Sequence, residues 1–499
     1  MSTTPSNSSH PFNHSDSSDV ILRSSNGVDF YAHQYILSLA SPFFHDLFSL
    51  KRHTPPEPNT TDTDSVIPVD ENSDAIEGIL RLCYPVHEPE MSDLSNVVAL
   101  LGVAHKYDMI TVKHRLRTPL KSFIATSPLQ IFAFACTYEL EDIACEAADA
   151  WRLRPESLAT NFSVSPSTEW SNTPYHRSYT QEIADAPAGT YYRLLEYLRS
   201  GNAPAMYCSP PCGDSVPSVS TSAQPHPDSY YCCDTFLESF GNPFDINIHA
   251  VDETVFPAHR LILSMASTEL RKLVKGGDGE SLYLSEDSLT LAVVLRACYP
   301  AASMSSLSMP LSLAAAVLKA AQKYCLHELQ HFAKQKMEDY IPSNPLGVFL
   351  HAADVGWTDG SRAAAVQLSR IALVGLYDPM MERIPARHYF ALLKFHFEYR
   401  KALVLKCTDA SSRHNISCLF FNHNMQFLDS QNWASEATED VFPEFLLSTA
   451  IHVASHSPFS NYCNPSYNGK CSSPGAGIQQ RINSIRTALA QDLSLVSIL

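Results

Sequence analysis

Residues 32–48 read AHQYILSLASPFFHDLF, and residues 258–274 read AHRLILSMASTELRKLV. Eight of these 17 positions are identical without a gap, so a stretch of the chain occurs twice. The offset is 226 residues and extends back to Asp19 and Asp245. Further on, LCYP (Leu82–Pro85) matches ACYP (Ala297–Pro300). AHKY (Ala104–Tyr107) matches AQKY (Ala321–Tyr324) at an offset of 217, which persists through Phe132/Phe349 and Ala135/Ala352. A weaker match pairs PAGTYYRLLEY from Pro187 with PARHYFALLKF from Pro385. The duplicated unit is therefore about 200 residues long.

Each unit carries a local code. Val20–Arg23 and Val28–Tyr31 are short extended runs around Ser24-Ser25-Asn26-Gly27, and Asn-Gly is a strong hairpin signal because both residues tolerate positive φ. In the second copy Ile246, Ile248 and Ala250 alternate with Asn247, His249 and Val251, the period of a half-buried strand. A helix follows with Ile36, Leu37 and Ala40 on one face. Ser41-Pro42 then supplies a helix cap with proline in the first turn, and Phe43, Phe44, Leu47 and Phe48 form the next helix's expected buried face. Val66–Val69 reads as a strand, and residues 75–84 and 92–106 as helices. Residues 282–284, 289–298 and 311–323 repeat that order. A small sheet capped by helices is an α+β domain.

The bulk numbers restrict function. The chain has 499 residues, 45% of them hydrophobic, and a formal charge of −17. Such a charge repels phosphate backbones, so no direct nucleic-acid binding is expected. The basic cluster Lys106, Lys113, Arg115, Arg117 and Lys121 reads as a solvated helix face. Neither a secretory leader nor a spanning run is visible. The expectation is an intracellular protein, cytoplasmic or nuclear, without membrane attachment.

DVILRSSNGVDFYAHQYILSLASPFFHDLF, VIPVDENSDAIEGILRLCYP and LLGVAHKYDMITVKHRLRTPL together resemble a BTB/POZ domain. DINIHAVDETVFPAHRLILSMASTELRKLV, LYLSEDSLTLAVVLRACYP and VLKAAQKYCLHELQHFAKQKM resemble it again. The CYP and KY motifs are similar to a variant abundant in fungi. The resemblance implies a non-enzymatic adaptor or scaffold. Its partners would be proteins: the chain itself, other BTB chains, or a cullin in a ubiquitin ligase. Two alternatives stay open, a self-associating transcriptional co-regulator and a zinc- or thiol-dependent enzyme. The two copies can pair within one chain or each recruit a separate one.

The resemblance also implies a charged pocket joining a strand Asp to the basic residue after the His. Asp245, His259 and Arg260 keep it, whereas Asp19 and His33 are followed by Gln34. A carboxylate buried without its cation is costly, so the second copy is expected to pair in the family's standard way. His33 and His259 read as helix-start residues, half buried and hydrogen-bonded.

No cofactor, metal site or catalytic residue is expected. Cys83, Cys298, Cys136 and Cys145 read as small hydrophobes. Cys208, Cys212, Cys232 and Cys233 follow the first unit, and Cys407, Cys418, Cys463 and Cys471 the second. Four thiols make a tetrahedral zinc site, but neither group has paired C-x2-C knuckles, so free thiols are the reading. There is no G-x-S-x-G, H-E-x-x-H or phosphate-binding glycine loop.

The expected organisation is a disordered N-terminus (1–16), a first BTB-like domain (17–120) and its helical extension (121–200). A Ser/Pro-rich linker (201–242) leads to a second domain (243–340) and extension (341–408). A loop-rich region (409–499) ends in an amphipathic helix from Ile478.

Overall fold

A computed structural model describes residues 6–7, 11–13, 18–53, 66–154, 169–201, 206, 244–276, 279–299, 307–369, 373 and 375–413, with backbone alone at 6–7, 51–53, 400 and 402–413. The expected linker and C-terminal region, with its terminal helix, lie almost wholly outside these residues. Two compact units divide the chain. Unit one comprises Met1–Leu158, Ser178–Ala186 and Tyr197–Cys208, and unit two comprises Ala159–Arg177, Pro187–Glu196 and Ser209–Leu499. The division does not follow the two copies, because a stretch after Pro187 belongs to the second unit.

In unit one, β1 (Ser6–Asn7), β2 (Val20–Arg23), β3 (Val28–Ala32) and β4 (Val66–Pro68) form a sheet of order β1-β3-β2-β4. The hairpin pairs Val20 with Ala32 and Arg23 with Asp29, and Gly27 turns it at φ 80°. Strand β4 runs parallel to β2. Phe12 is 3% exposed, its carbonyl accepts from the Tyr31 amide at 3.0 Å, and its ring meets Tyr84 at 5.3 Å. Phe12 falls within the segment expected to be disordered, yet it packs into the domain's core.

Helices α1 (Gln34–Ala40) and α2 (Pro42–His53) follow. As expected, Ser41 accepts from the Phe44 amide at 3.2 Å and also donates to the Tyr107 carbonyl at 2.5 Å. Phe43, expected in the core, is 46% exposed; Phe44 and Phe48 alone supply the buried aromatic face. Helices α3 (Ser73–Cys83), α4 (Leu94–Lys106) and α5 (Ile110–Ser122) complete the domain. Leu80, Leu100, Leu101 and Leu116 are fully buried, each stabilising the fold by about 1.5–3 kcal/mol. A helical hairpin comes next, α6 (Pro128–Thr137) and α7 (Glu141–Arg152), then the short α8 (Pro174–Arg177) and α9 (Gln181–Asp185), and α10 (Ala188–Ser200); of these, α8 and most of α10 belong to unit two.

Unit two repeats the plan. Strands β5 (Ile246–His249), β6 (Val255–Ala258) and β7 (Ser281–Tyr283) form a sheet of order β6-β5-β7. Helices α11 (Arg260–Ala266), α12 (Thr268–Gly276), α13 (Ser288–Cys298), α14 (Leu311–Lys323) and α15 (His327–Glu338) match α1 to α5. The hairpin α16 (Pro345–Asp354) and α17 (Thr358–Leu368) matches α6 and α7, and α18 (Ala386–Arg413) starts where α10 does in its own copy. The helical hairpins turn alike: Glu139 at φ 64° and Gly356 at φ 70° let Leu140 and Trp357 donate back to Ala135 and Ala352 at 2.7 and 2.8 Å. One backbone solution serves both copies although only one uses glycine.

Candidate protein-interaction surfaces

The six residues singled out by the sequence gather at the N-termini of α1 and α11. Asp19 accepts from the Gln34 backbone N–H at 2.7 Å, and Asp245 accepts from the Arg260 backbone N–H at 2.7 Å. Each carboxylate satisfies an N–H that has no partner within the helix, where negative charge is also favoured. Both aspartates are exposed. The expected buried charge pair is therefore corrected. The Arg260 guanidinium donates to the backbone carbonyls of Asp245 (3.2 Å), Val274 (3.2 Å) and Gly279 (2.5 Å). The Gln34 side-chain amide donates to the Asp19 carbonyl at 3.0 Å. Glutamine and arginine do the same work at this first contact, so the argument for a costly pocket in the first copy falls away.

The histidines join the first motif to the CYP motif. The Tyr84 hydroxyl accepts from the His33 amide at 2.8 Å and meets its Nδ1 at 3.0 Å. Tyr299 holds His259 in the same way, at 3.3 and 3.0 Å. Burial pushes the Tyr84 phenol up to about 12, against the His33 amide that favours the ionised form. The hydroxyl is thus a neutral structural clamp at physiological pH.

This clamp fixes how α1 and α11 present their outer faces. Leu37 and Leu263 point inward and are completely buried. On the opposite face Tyr35 and Leu39 are 74% and 70% exposed, and Leu261 and Leu39's counterpart Met265 are 69% and 73% exposed. Spacing of four residues puts each pair on one stripe. A single exposed leucine is ordinary. The same apolar stripe in two copies, with the residues changed but the character retained, is a repeated surface. Phe43, in the first turn of α2, adds exposed apolar surface in the first copy. Its counterpart Glu269 pairs with Lys272 at 2.7 Å, so α12 opens on charge instead. Reading helix faces for buried residues alone missed these stripes; their signal was an apolar residue at positions 35/261 and 39/265 in both copies.

The family model for the BTB/POZ domain matches residues 9–123 and 236–341. Two BTB/POZ domains sit in this chain. They account for a little under half of it, and such domains generally mediate protein–protein interaction. A comparison with curated proteins returned no match.

Elsewhere in the BTB/POZ domains the motifs have structural work. In the first, the Lys106 ammonium and Tyr107 hydroxyl reach Glu71 at 2.7 Å each. In the second, Lys323 and Tyr324 reach Glu286 at 2.6 Å each. The KY motif thus bolts α4 and α14 to the loop that follows the last strand. Most of the basic cluster is matched by acids: Lys106 by Asp70 and Glu71, Arg115 by Glu88, Arg117 by Asp142, and Lys121 by Asp142 and Glu146.

Burial pushes the Cys83 and Cys298 thiols up to about 11 and about 12, as befits small core residues. Cys136 is buried and Cys145 half-buried. Among the described residues no group of three or more His, Cys, Asp or Glu side chains could hold a metal. Tail residues Cys208, Cys212, Cys232, Cys233, Cys418, Cys463 and Cys471 lie outside the described residues, as does the Cys407 side chain. No described helix is long and apolar enough to cross a membrane.

Proposed function

We propose that the chain is a non-enzymatic intracellular scaffold that binds protein partners through its two BTB/POZ domains, with the stripes on α1 and α11 as the contact surfaces. The observation that supports this is the matched exposure of Tyr35/Leu39 and Leu261/Met265 on clamped helices. Exposed apolar surface in a rigid setting favours association, because burying it releases water without ordering a flexible segment. The helices that follow open differently, on exposed Phe43 in one copy and on Glu269 in the other, which suits two different partners.

In its finer form the proposal makes the chain a substrate adaptor of a cullin-based ubiquitin ligase. The helical hairpins α6–α7 and α16–α17, which follow each domain in the chain, supply further surface for such a role. The second reading is a self-associating transcriptional co-regulator, which needs only the stripes. Affinity purification of the full chain from its own cells, with co-purifying proteins identified, separates the two. Recovery of a cullin supports the adaptor, and recovery of other copies with corepressors supports the second. Loss of neither set on Tyr35→Asp/Leu39→Asp combined with Leu261→Asp/Met265→Asp would remove the stripes as contact surfaces.

A further inference from the structure

Within unit two, Pro187 and Pro385 are antiparallel bridge partners, and the Ala188 N–H donates to the Ile384 carbonyl at 2.8 Å. These prolines are the same position in the two copies, 198 residues apart. Tyr191 and Tyr389, also 198 apart, meet edge to face at 6.2 Å. Around them the contacts come in mirrored form: Tyr191 meets Phe390 at 6.4 Å, and Tyr192 meets Tyr389 at 6.2 Å. Equivalent residues that meet in an antiparallel sense define a two-fold axis. Here the axis relates two helices of one chain, α10 and α18.

The polar part of this contact breaks the symmetry. Arg193 grips Glu382 with two bonds, Nη1 to Oε1 at 2.5 Å and Nη2 to Oε2 at 3.1 Å. Their side chains are only 7% and 3% exposed. Tyr377 donates to the same carboxylate at 2.9 Å. A β-carbon on Gly189 would overlap that carboxylate, so glycine makes the seat. At the offset of 198, the counterparts of Gly189, Arg193 and Glu382 are Arg387, Ala391 and Ala184. The apolar half of the contact is self-complementary, while the ionic half has one sign per copy.

We propose that α10 and α18 are a matched pair, in which the Arg193–Glu382 bridge admits the other copy and rejects the same copy. Pairing two first copies would set Arg193 against alanine, leaving a desolvated cation without its acid. Pairing two second copies would put the Arg387 β-carbon into the seat of the Glu382 carboxylate. A buried charge contributes little net stability when paired but is strongly unfavourable alone, which is how single polar residues specify partners elsewhere. The covalent link adds a high effective concentration for pairing within the chain. The partner of this surface is therefore the other half of the same molecule, whatever the BTB/POZ domains bind.

The test uses full-length chains carrying Arg193→Glu or Glu382→Arg. Each has like charges facing within itself, whereas a mixture can form both bridges by exchanging halves between two chains. The readout is capture of an untagged chain by a tagged one after co-expression. Wild type captured by wild type sets the baseline, since association through the α1 and α11 stripes is common to every arm. Several-fold more capture is expected for Arg193→Glu with Glu382→Arg than for wild type or for either variant with itself. Should each variant alone be insoluble, co-expression is expected to recover a soluble one-to-one complex. Equal capture in every arm, or failure of co-expression to recover soluble protein, would overturn the proposal.

Discussion

The Tyr84 hydroxyl lies 2.8 Å from the backbone nitrogen of His33 and 3.0 Å from its Nδ1, so the CYP motif is tied to the residue just before α1. Tyr84→Phe removes that acceptor from a part-buried N–H. The expected cost is about 1–3 kcal/mol, read as a lower denaturation midpoint. The His33 amide should also exchange hydrogen faster. Unchanged exchange would show that the clamp does not hold the helix.

Gly27 and Glu253 occupy the same hairpin position in the two copies, at φ 80° and 66°. A left-handed L-residue costs roughly 1–2 kcal/mol, and an added β-carbon at Gly27 meets nothing within 4 Å. Glu253→Gly should therefore stabilise by about 1 kcal/mol. Gly27→Ala should destabilise by a similar amount through backbone strain alone. Opposite signs in a denaturation series are the check.

Burial pushes the Glu286 carboxyl up, but the Lys323 ammonium and Tyr324 hydroxyl hold it below the usual carboxylate range. A carboxyl whose folded value is depressed adds stability that is full above its unfolded value, about 4.3. That stability drains away as pH falls through the lower folded value. Acid unfolding of wild type should therefore steepen below about pH 4.3, and Glu286→Gln should flatten the profile while lowering stability at neutral pH. A variant with the wild-type acid limb contradicts the assignment.

Thiol reactivity should follow burial. Cys298 is buried with its thiol raised to about 12, whereas Cys325 is exposed. Brief alkylation of the native chain, mapped by mass spectrometry, should label Cys325 first and leave Cys298 intact until denaturant is added. Early labelling of Cys298 would mean that its helix opens readily.

Charge on the stripes should leave folding untouched. Tyr35→Asp/Leu39→Asp alters residues at 74% and 70% exposure, where surface changes usually stay within about 0.5 kcal/mol. Loss of partner capture with an unshifted melting curve is the expected pair of results. A large fall in stability would instead make these residues part of the fold.

The order of strands and helices was legible because it rests on local signals. Asn26-Gly27 marked the hairpin, Ser41-Pro42 the helix start, and apolar spacing the range Leu311–Lys323, which is the observed helix. The exposed residues of the stripes were not picked out, and the six motif residues that the repeat did pick out serve the helix starts. Their contacts were not legible. Whether Arg260 meets the carboxylate or the carbonyl of Asp245 depends on where Val274 and Gly279 place their own carbonyls. Phe43 was misplaced because Phe44 and Phe48 fill the face that a periodicity count assigned to all three. The assignment of residues 187–196 to unit two was invisible, since no local pattern records which copy a helix packs against.

The register between the copies shifts from 226 at α1 and α11 to 215 at α3 and α13, to 217 at α4 and α14, and to 198 at α10 and α18. Every shift falls in a connection, where length is cheap in closure entropy. Evolution has thereby marked three points at which this chain accepts inserted residues. The segment between α2 and β4 has twelve residues against four in its counterpart, which makes it the first place to try splicing in an epitope or fluorescent label.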